Sequence, residues 1–224
     1  MDVTQAFQVP TKSGRSYLRV PVPLHFPTDQ EVPEGGVHLE LRTALYLILR
    51  RELAGRAFVG SEQFLYWDPT DPKKCLAPDV MVRLEGPDQP LPCLKVWQGG
   101  APQLAVEIVS PFDASDAQWG KKLERYRLSG VSEVVRFDPD HAERPLRLWD
   151  RIGADLVERV LDGPPALCCD TLGLYWCVFP DARLGHVLRL ARDAEGRELL
   201  LTPDERAEAA LVRVAELEAE LKRR

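Results

Sequence analysis

One apolar segment, interrupted by a single carboxylate, constrains the fold of this chain more than any other feature. The segment LAVEIVSP, residues 104–111, is apolar almost throughout, as a β-strand is when both of its faces are covered. Glu107 lies in the middle of this segment, and Ser110-Pro111 ends it. Burying an isolated charge costs free energy, so Glu107 needs an explanation. It is a functional ligand, it pairs structurally with an arginine, or it lies on an exposed sheet edge.

Length and charge limit the class of protein. The chain has 224 residues, 45% of them hydrophobic, which is enough for one substantial domain. Its net charge of −6 argues against a globally basic surface, so any contact with nucleic acid must come from a local patch. The longest apolar runs are too short to cross a bilayer, and the N-terminal region lacks the features of a secretory signal. We therefore expect a cytoplasmic protein with no membrane contact.

The cysteines and histidines do not predict a zinc site. The five cysteines have no CxxC spacing, and the adjacent pair Cys168-Cys169 has no partner histidines at zinc-finger distances. We expect buried, reduced thiols.

Apolar spacing and turn residues predict an α+β order of elements. Residues 1–35 form a proline-rich arm with room for one short strand, residues 36–200 form the folded domain, and residues 201–224 form a C-terminal helix. Within the domain the predicted order is a helix in VHLELRTALYLILRRELAG, strands in AFVGSEQFLYW and APDVMVRL, a possible short strand in CLKVW, the Glu107 strand, a helix in DASDAQWGKKLERYRLSG and a strand in VSEVVRFDP. Antiparallel strands follow in PLRLWDRIG, DLVERVLDG and LYWCVF.

The C-terminal helix has a clear start and a heptad pattern. Thr202 stands before a proline, and Glu205 lies three residues after Thr202, which is the signature of a capping box. Small or apolar residues recur at spacings that alternate between three and four positions, which is the pattern of a heptad seam. The seam residues are Ala207, Ala210, Val214, Leu217 and Leu221. The seam is short, so it indicates either a helix that is docked on its own domain or frayed in solution, or a dimerising coiled coil.

Two carboxylates fall on strands that can be neighbours. Asp79 follows Pro78 at the start of PDVMV, and Glu107 lies inside AVEIV. Two close carboxylates repel each other unless a cation lies between them, and oxygen ligands suit Mg²⁺ or Mn²⁺. On the following helix, Lys121-Lys122 can supply a positive charge, and Arg125 extends a basic stripe that can contact phosphates. Taken alone, Asp79 is equally a turn residue, and the basic stripe is equally a solvated helix face.

With these residues placed, the chain resembles the Uma-two family of restriction endonuclease-like proteins in the PD-(D/E)XK nuclease superfamily. The segments that carry the resemblance, in order from about Phe26, are FPTDQEVPEGGVHLELRTALY, APDVMV, LKVWQGGAPQLAVEIVSP, KKLERY, SGVSE, FDP and LGLYW. The resemblance implies a restriction-endonuclease-like αβββαβ core with a mixed β-sheet, followed by additional antiparallel strands and a C-terminal helix. It also implies a divalent metal and phosphodiester cleavage in DNA.

The resemblance assigns roles residue by residue. Asp79 matches the acidic residue of the PD strand and Glu107 the glutamate of the next motif, so both are expected Mg²⁺ ligands, and the backbone carbonyl of Ile108 is a possible third. Mn²⁺ can substitute for Mg²⁺. The family lysine precedes a tyrosine by four residues, as Lys122 precedes Tyr126.

Further matches and departures leave two points open. Glu34 and His38 match a family pattern at the first helix and are possible accessory residues. The chain has SPFD where the family usually has SPST, and the span to the lysines is about one residue longer, so Lys121 is an alternative to Lys122.

Two functions of different classes fit the sequence. The first is a Mg²⁺-dependent DNA endonuclease, in which Asp79 and Glu107 hold the metal and Lys122 acts on the phosphate or the attacking water. One active site cuts one strand, so double-strand cleavage needs a dimer or successive events, and the C-terminal helix leads us to expect a homodimer. The second is a catalytically inactive module of the same fold that binds nucleic acid or a protein partner.

Overall fold

The structure is a computed structural model that describes the backbone of residues 7–10 and 16–19, and residues 35–84, 86, 89, 91–110 and 115–223 in full. The chain divides into two units, Met1–Pro33 and Glu34–Arg224. In the first unit, β1 (Phe7–Pro10) and β2 (Ser16–Arg19) form an antiparallel hairpin. The sequence indicated one short strand in this arm, so the second strand was missed.

The second unit contains the remaining elements. Its first part consists of α1 (Gly36–Glu52), β3 (Ala57–Gly60), β4 (Leu65–Tyr66), β5 (Cys75–Leu76), β6 (Val80–Leu84), β7 (Leu94–Lys95), α2 (Val96–Gly99), β8 (Leu104–Ile108), α3 (Asp116–Ser129) and β9 (Glu133–Phe137). Its second part consists of β10 (Leu146–Ile152), β11 (Asp155–Glu158), a 3-10 turn (Pro164–Leu167), β12 (Cys168–Cys169), β13 (Leu174–Asp181), β14 (Gly185–Ala191) and α4 (Pro203–Lys222).

A six-stranded mixed sheet organises this unit. Its strand order is β11-β10-β9-β8-β6-β3, and only the β8–β9 pair is parallel. Parallel neighbours need a crossover connection, and α3 provides it. The series α1, β3, β6, β8, α3, β9 is the predicted αβββαβ core, and the antiparallel strands and the C-terminal helix follow it. The predicted fold class is confirmed.

The two faces of the sheet have different cores, and β8 contributes to both. Leu104, Val106 and Ile108 pack in a cluster with the buried face of α1, whereas Ala105 packs in a cluster with Trp119 and Tyr126 of α3. Each large apolar side chain buried in this way contributes about 1.5–3 kcal/mol. Because side chains alternate along a strand, Glu107 projects on the same face as Ala105, toward α3.

The structure divides the segment that the sequence predicted as one strand, AFVGSEQFLYW. Its first part, β3, pairs with β6 in the central sheet, whereas β4 belongs to a three-stranded sheet with β5 and β7. Between them Glu62 has a φ of 51°, a left-handed conformation that ends the extended run. The predicted strand CLKVW is also shorter, because the helical turn α2 begins at Val96. Strand β14 had no counterpart in the prediction.

The C-terminal helix begins as predicted. The Thr202 hydroxyl accepts from the amide of Glu205, and the Glu205 carboxylate accepts from the amide of Thr202 at 2.8 Å. None of the residues Pro203–Lys222 is buried, so α4 adds no side chain to the core of the domain. No helix in the described part of the chain is long and apolar enough to cross a membrane. All five cysteines are free thiols, but only Cys169 is buried, so the expectation of buried thiols is wrong for the other four.

Candidate active site

The pairing of β6 with β8 brings the two predicted carboxylates together. Val80 lies opposite Val106 in this antiparallel pair, so the same register carried one residue further sets Asp79 opposite Glu107. The amide of Ile108 donates to Oδ2 of Asp79 at 2.6 Å. A backbone group of the strand that contains Glu107 therefore fixes the Asp79 carboxylate just before the start of β6.

Helix α3 supplies two partners for Glu107, whose side chain is only 5% exposed. The Lys122 ammonium lies 2.7 Å from Oε2 of Glu107, and the Tyr126 hydroxyl donates to Oε1. Residues four apart lie one above the other on a helix, which is why Lys122 and Tyr126 reach the same carboxylate. Glu107 is thus neither at an exposed edge nor paired with an arginine.

The surroundings of Glu107 raise its pKa, because the effects that disfavour the ionised carboxylate exceed those that favour it. Burial raises its pKa to about 7; the Lys122 charge lowers the pKa, and the Asp79 charge raises it. Burial also raises the pKa of Tyr126 well above its usual value, and Glu107 adds to this effect. Tyr126 therefore stays a neutral phenol that donates a hydrogen bond, and a cation between Asp79 and Glu107 would favour the ionised form of Glu107.

His38, on α1, contacts both strand segments that contain the two carboxylates. Its Nε2 is 2.9 Å from the carbonyl oxygen of Ile108 and 3.3 Å from Oδ1 of Asp79. A carbonyl oxygen only accepts, so Nε2 carries the hydrogen in this contact. The first turn of α1 is thereby joined to both carboxylate-bearing strands. Glu34, the other predicted accessory residue, lies outside the described residues.

The other two basic residues of α3 that the sequence singled out, Lys121 and Arg125, do not contact Glu107. Lys121 is exposed, and about 100° of helix rotation separates it from Lys122. Arg125 donates to the backbone carbonyl of Cys75 and lies 5.9 Å from the ring of Trp67. Of the two candidate lysines, Lys122 is the one that contacts Glu107.

The donor set suits a small, hard cation. Among the described residues no group of three or more His, Cys, Asp or Glu side chains could hold a metal. The expected set instead has two carboxylates, Asp79 and Glu107, and the Ile108 carbonyl, and Mg²⁺ usually keeps several waters besides a few protein oxygens. Each of these oxygens has a second lone pair beyond its present hydrogen bond. Two adjacent carboxylates, one with a raised pKa, therefore fit a divalent metal.

Two neighbours of Glu107 were not identified as site residues from the sequence. Tyr126 served only to locate Lys122, although its spacing from that lysine indicated a shared helix face. Arg136 lies opposite Glu107 in the parallel β8–β9 pair, is 6% exposed and lies 5.5 Å from the ring of Trp119. Only the register of the sheet reveals Arg136 as a neighbour.

Comparisons with known proteins give one family match. The family model described as "Uma2: Putative restriction endonuclease" matches residues 29–151, which is more than half of the chain. A crystal structure described as a "putative nuclease belonging to DUF820" from Anabaena variabilis is similar to 62% of this chain over 74% of its own length, with 16% identity and a TM-score of 0.38. No protein of curated function matches.

Proposed function

The chain belongs to the Uma2 family, and we propose that it is a metal-dependent endonuclease that hydrolyses phosphodiester bonds in DNA. The observation that carries the proposal is the position of Glu107 between Lys122 and the second carboxylate, Asp79. A structural ion pair with Lys122 would be more stable without Asp79, which opposes ionisation of Glu107. A metal-binding site, in contrast, requires both acids.

Asp79 and Glu107 are the residues that would hold Mg²⁺, with the Ile108 carbonyl as a third ligand and Mn²⁺ as a substitute ion. A divalent cation at this place supplies two effects, a lower pKa for a coordinated water and compensation of negative charge on the phosphate. Tyr126 orients Glu107 through Oε1, and His38 orients the Ile108 carbonyl. We propose both as positioning residues.

Lys122 is the proposed catalytic lysine. Its ammonium is a compact charge with three donors, and 32% of its side chain is exposed beside the buried Glu107. From this position it can donate to a phosphate oxygen or to the attacking water while the bond to the leaving oxygen breaks. Lys121 and Arg125, on the same helix, are proposed contacts to the DNA backbone, and Glu34 remains a predicted accessory residue.

The test of the nuclease is cleavage of supercoiled plasmid by the purified chain with Mg²⁺, with Mn²⁺, or with a chelator alone. We expect nicking with either metal and none with the chelator, because the two carboxylates are proposed to act through the cation. A titration of the same samples by calorimetry reports metal binding separately. Absence of both binding and nicking at millimolar metal would favour the inactive binding module.

Lower pH is expected to weaken Mg²⁺ binding through Glu107. Its pKa is about 7 because burial opposes the charge, and protons compete with the metal for the carboxylate. The affinity should change little above about pH 8 and fall about tenfold for each pH unit well below pH 7. Calorimetric titration across this range measures the effect. An affinity independent of pH would remove Glu107 from the proposed ligands.

A homodimer is part of the proposed function. One site of this kind cuts one strand, so cleavage of both strands in a single encounter requires a second copy of the chain.

A further inference from the structure

The helix α4 presents an apolar stripe to solvent. At 1.5 Å per residue its 20 residues extend about 30 Å, and none of them is buried. Its attachment to the domain is at the start, where the Arg189 guanidinium binds the Glu205 carboxylate at 2.7 and 2.8 Å. Val214, Leu217 and Leu221 are 52%, 43% and 71% exposed. Covering these three large apolar side chains with a partner would recover their burial energy.

We infer that α4 pairs in parallel with α4 of a second copy of this chain, in a two-stranded coiled coil. This inference names the contact surface for the homodimer of the proposed function. The seam places Ala207, Val214 and Leu221 at heptad position a, and Ala210 and Leu217 at position d. Within parallel coiled coils, a β-branched residue at a followed by leucine at d, as in Val214 and Leu217, favours two strands over three or four.

The charges beside the seam match a second copy in this orientation. With Val214 at position a, Arg213 occupies position g at the end of the preceding heptad. Glu218 occupies position e of the heptad that Val214 begins. In a parallel pair, a g residue faces the e residue five positions later on the other helix. Arg213 therefore faces Glu218 of the second copy, and the two-fold symmetry forms this attractive pair twice. A different protein would have to reproduce both the seam and these charges.

The sizes of the seam side chains in α4 agree with pairing in the part of the helix that extends away from the domain. The two small seam residues, Ala207 and Ala210, are at the start of α4, where Ala210 lines a 410 Å³ cavity that also contacts Ile48 and Leu200. The three large seam residues follow toward the C-terminus. The contact between copies is thus expected in the half of α4 that extends away from this cavity.

Two valines of α4 provide a matched test. Val214 at position a and Val212 at position f are 52% and 55% exposed, so a lysine costs each a similar amount in the isolated chain. Sedimentation velocity of the full chain over a concentration series should show a reversible dimer. Val214→Lys should raise the dissociation constant at least about tenfold, because it opposes two charges within the seam. Val212→Lys should leave the dissociation constant unchanged.

A charge exchange tests the orientation. Arg213→Glu and Glu218→Arg should each weaken self-association, since each places like charges across the interface. Mixing the two variants should restore a heterodimer, because glutamate then faces arginine at both pairs. A monomer at all concentrations, or equal effects of Val214→Lys and Val212→Lys, would overturn the inference. These outcomes concern association alone, so they leave plasmid nicking as a separate test of the nuclease.

Discussion

Glu107→Gln is expected to abolish metal binding and to reduce plasmid cleavage by about three orders of magnitude or more. The amide keeps the shape of the side chain and can still contact Lys122 and Tyr126. It cannot supply the negative charge that, with Asp79, attracts a cation. Calorimetric titration of Mn²⁺ and quantitative nicking of supercoiled plasmid measure the two effects on the same sample.

The neighbouring strand provides the control for this variant. Glu133 begins β9, is 3% exposed and has a pKa that burial raises, as in Glu107. Its partners are structural: the Thr171 amide donates to Oε2 at 3.2 Å, and the Cys169 thiol lies 3.4 Å away. Glu133→Gln should therefore keep metal binding and cleavage while changing thermal stability. Equal loss of activity in both variants would show that any disturbance of a buried glutamate disrupts the fold.

The order of the core elements along the chain was predictable because burial on both faces of a sheet imposes long apolar runs. The same reasoning located Asp79 and Glu107 on candidate neighbouring strands before any register was known. It could not predict the break after Gly60, because the left-handed conformation of Glu62 has no strong signal in an ordinary glutamate. A strand of two residues, such as β4, is likewise too short for a periodicity to appear.

The choice between the two lysines was left open by the sequence, although the information was present. Trp119 and Tyr126 are buried on α3, seven residues apart, and therefore define the face of the helix that packs on the sheet. Lys122 lies between them, three residues after one and four before the other. Lys121 is rotated from that face. The motif of a lysine four residues before a tyrosine, combined with helix geometry, selects Lys122. The number of residues between the preceding strand and the lysines does not distinguish Lys122 from Lys121.

The roles of His38 and Arg136 depend on tertiary structure in a way that local patterns do not encode. His38 reaches the Ile108 carbonyl across 70 positions of sequence. Arg136 becomes a neighbour of Glu107 only through the parallel register of β8 with β9. Long-range register of this kind follows from the packing of both faces of the sheet.

Lys122→Met is expected to reduce cleavage by about 10²–10³-fold while the protein still binds Mn²⁺ at saturating concentration. Methionine retains the apolar stem and removes the charge that is proposed to act on the phosphate or the water. Removal of this charge also raises the pKa of Glu107 further, since Lys122 is the group that lowers it. Metal binding should therefore need a higher pH than in the unaltered protein, and cleavage is best compared at about pH 8.5, where Mn²⁺ can displace the proton.

Lys121→Met is the matched control, because it removes the same charge from the adjacent, exposed position of α3. We expect cleavage to fall by less than about tenfold at moderate ionic strength, as for the loss of one backbone phosphate contact. Because a lost phosphate contact acts on DNA binding, the Lys121→Met defect should disappear when DNA is saturating, whereas the Lys122→Met defect should persist. If Lys121→Met had the larger effect at saturating Mn²⁺, the catalytic role would pass to Lys121, and the contact between Lys122 and Glu107 would be structural.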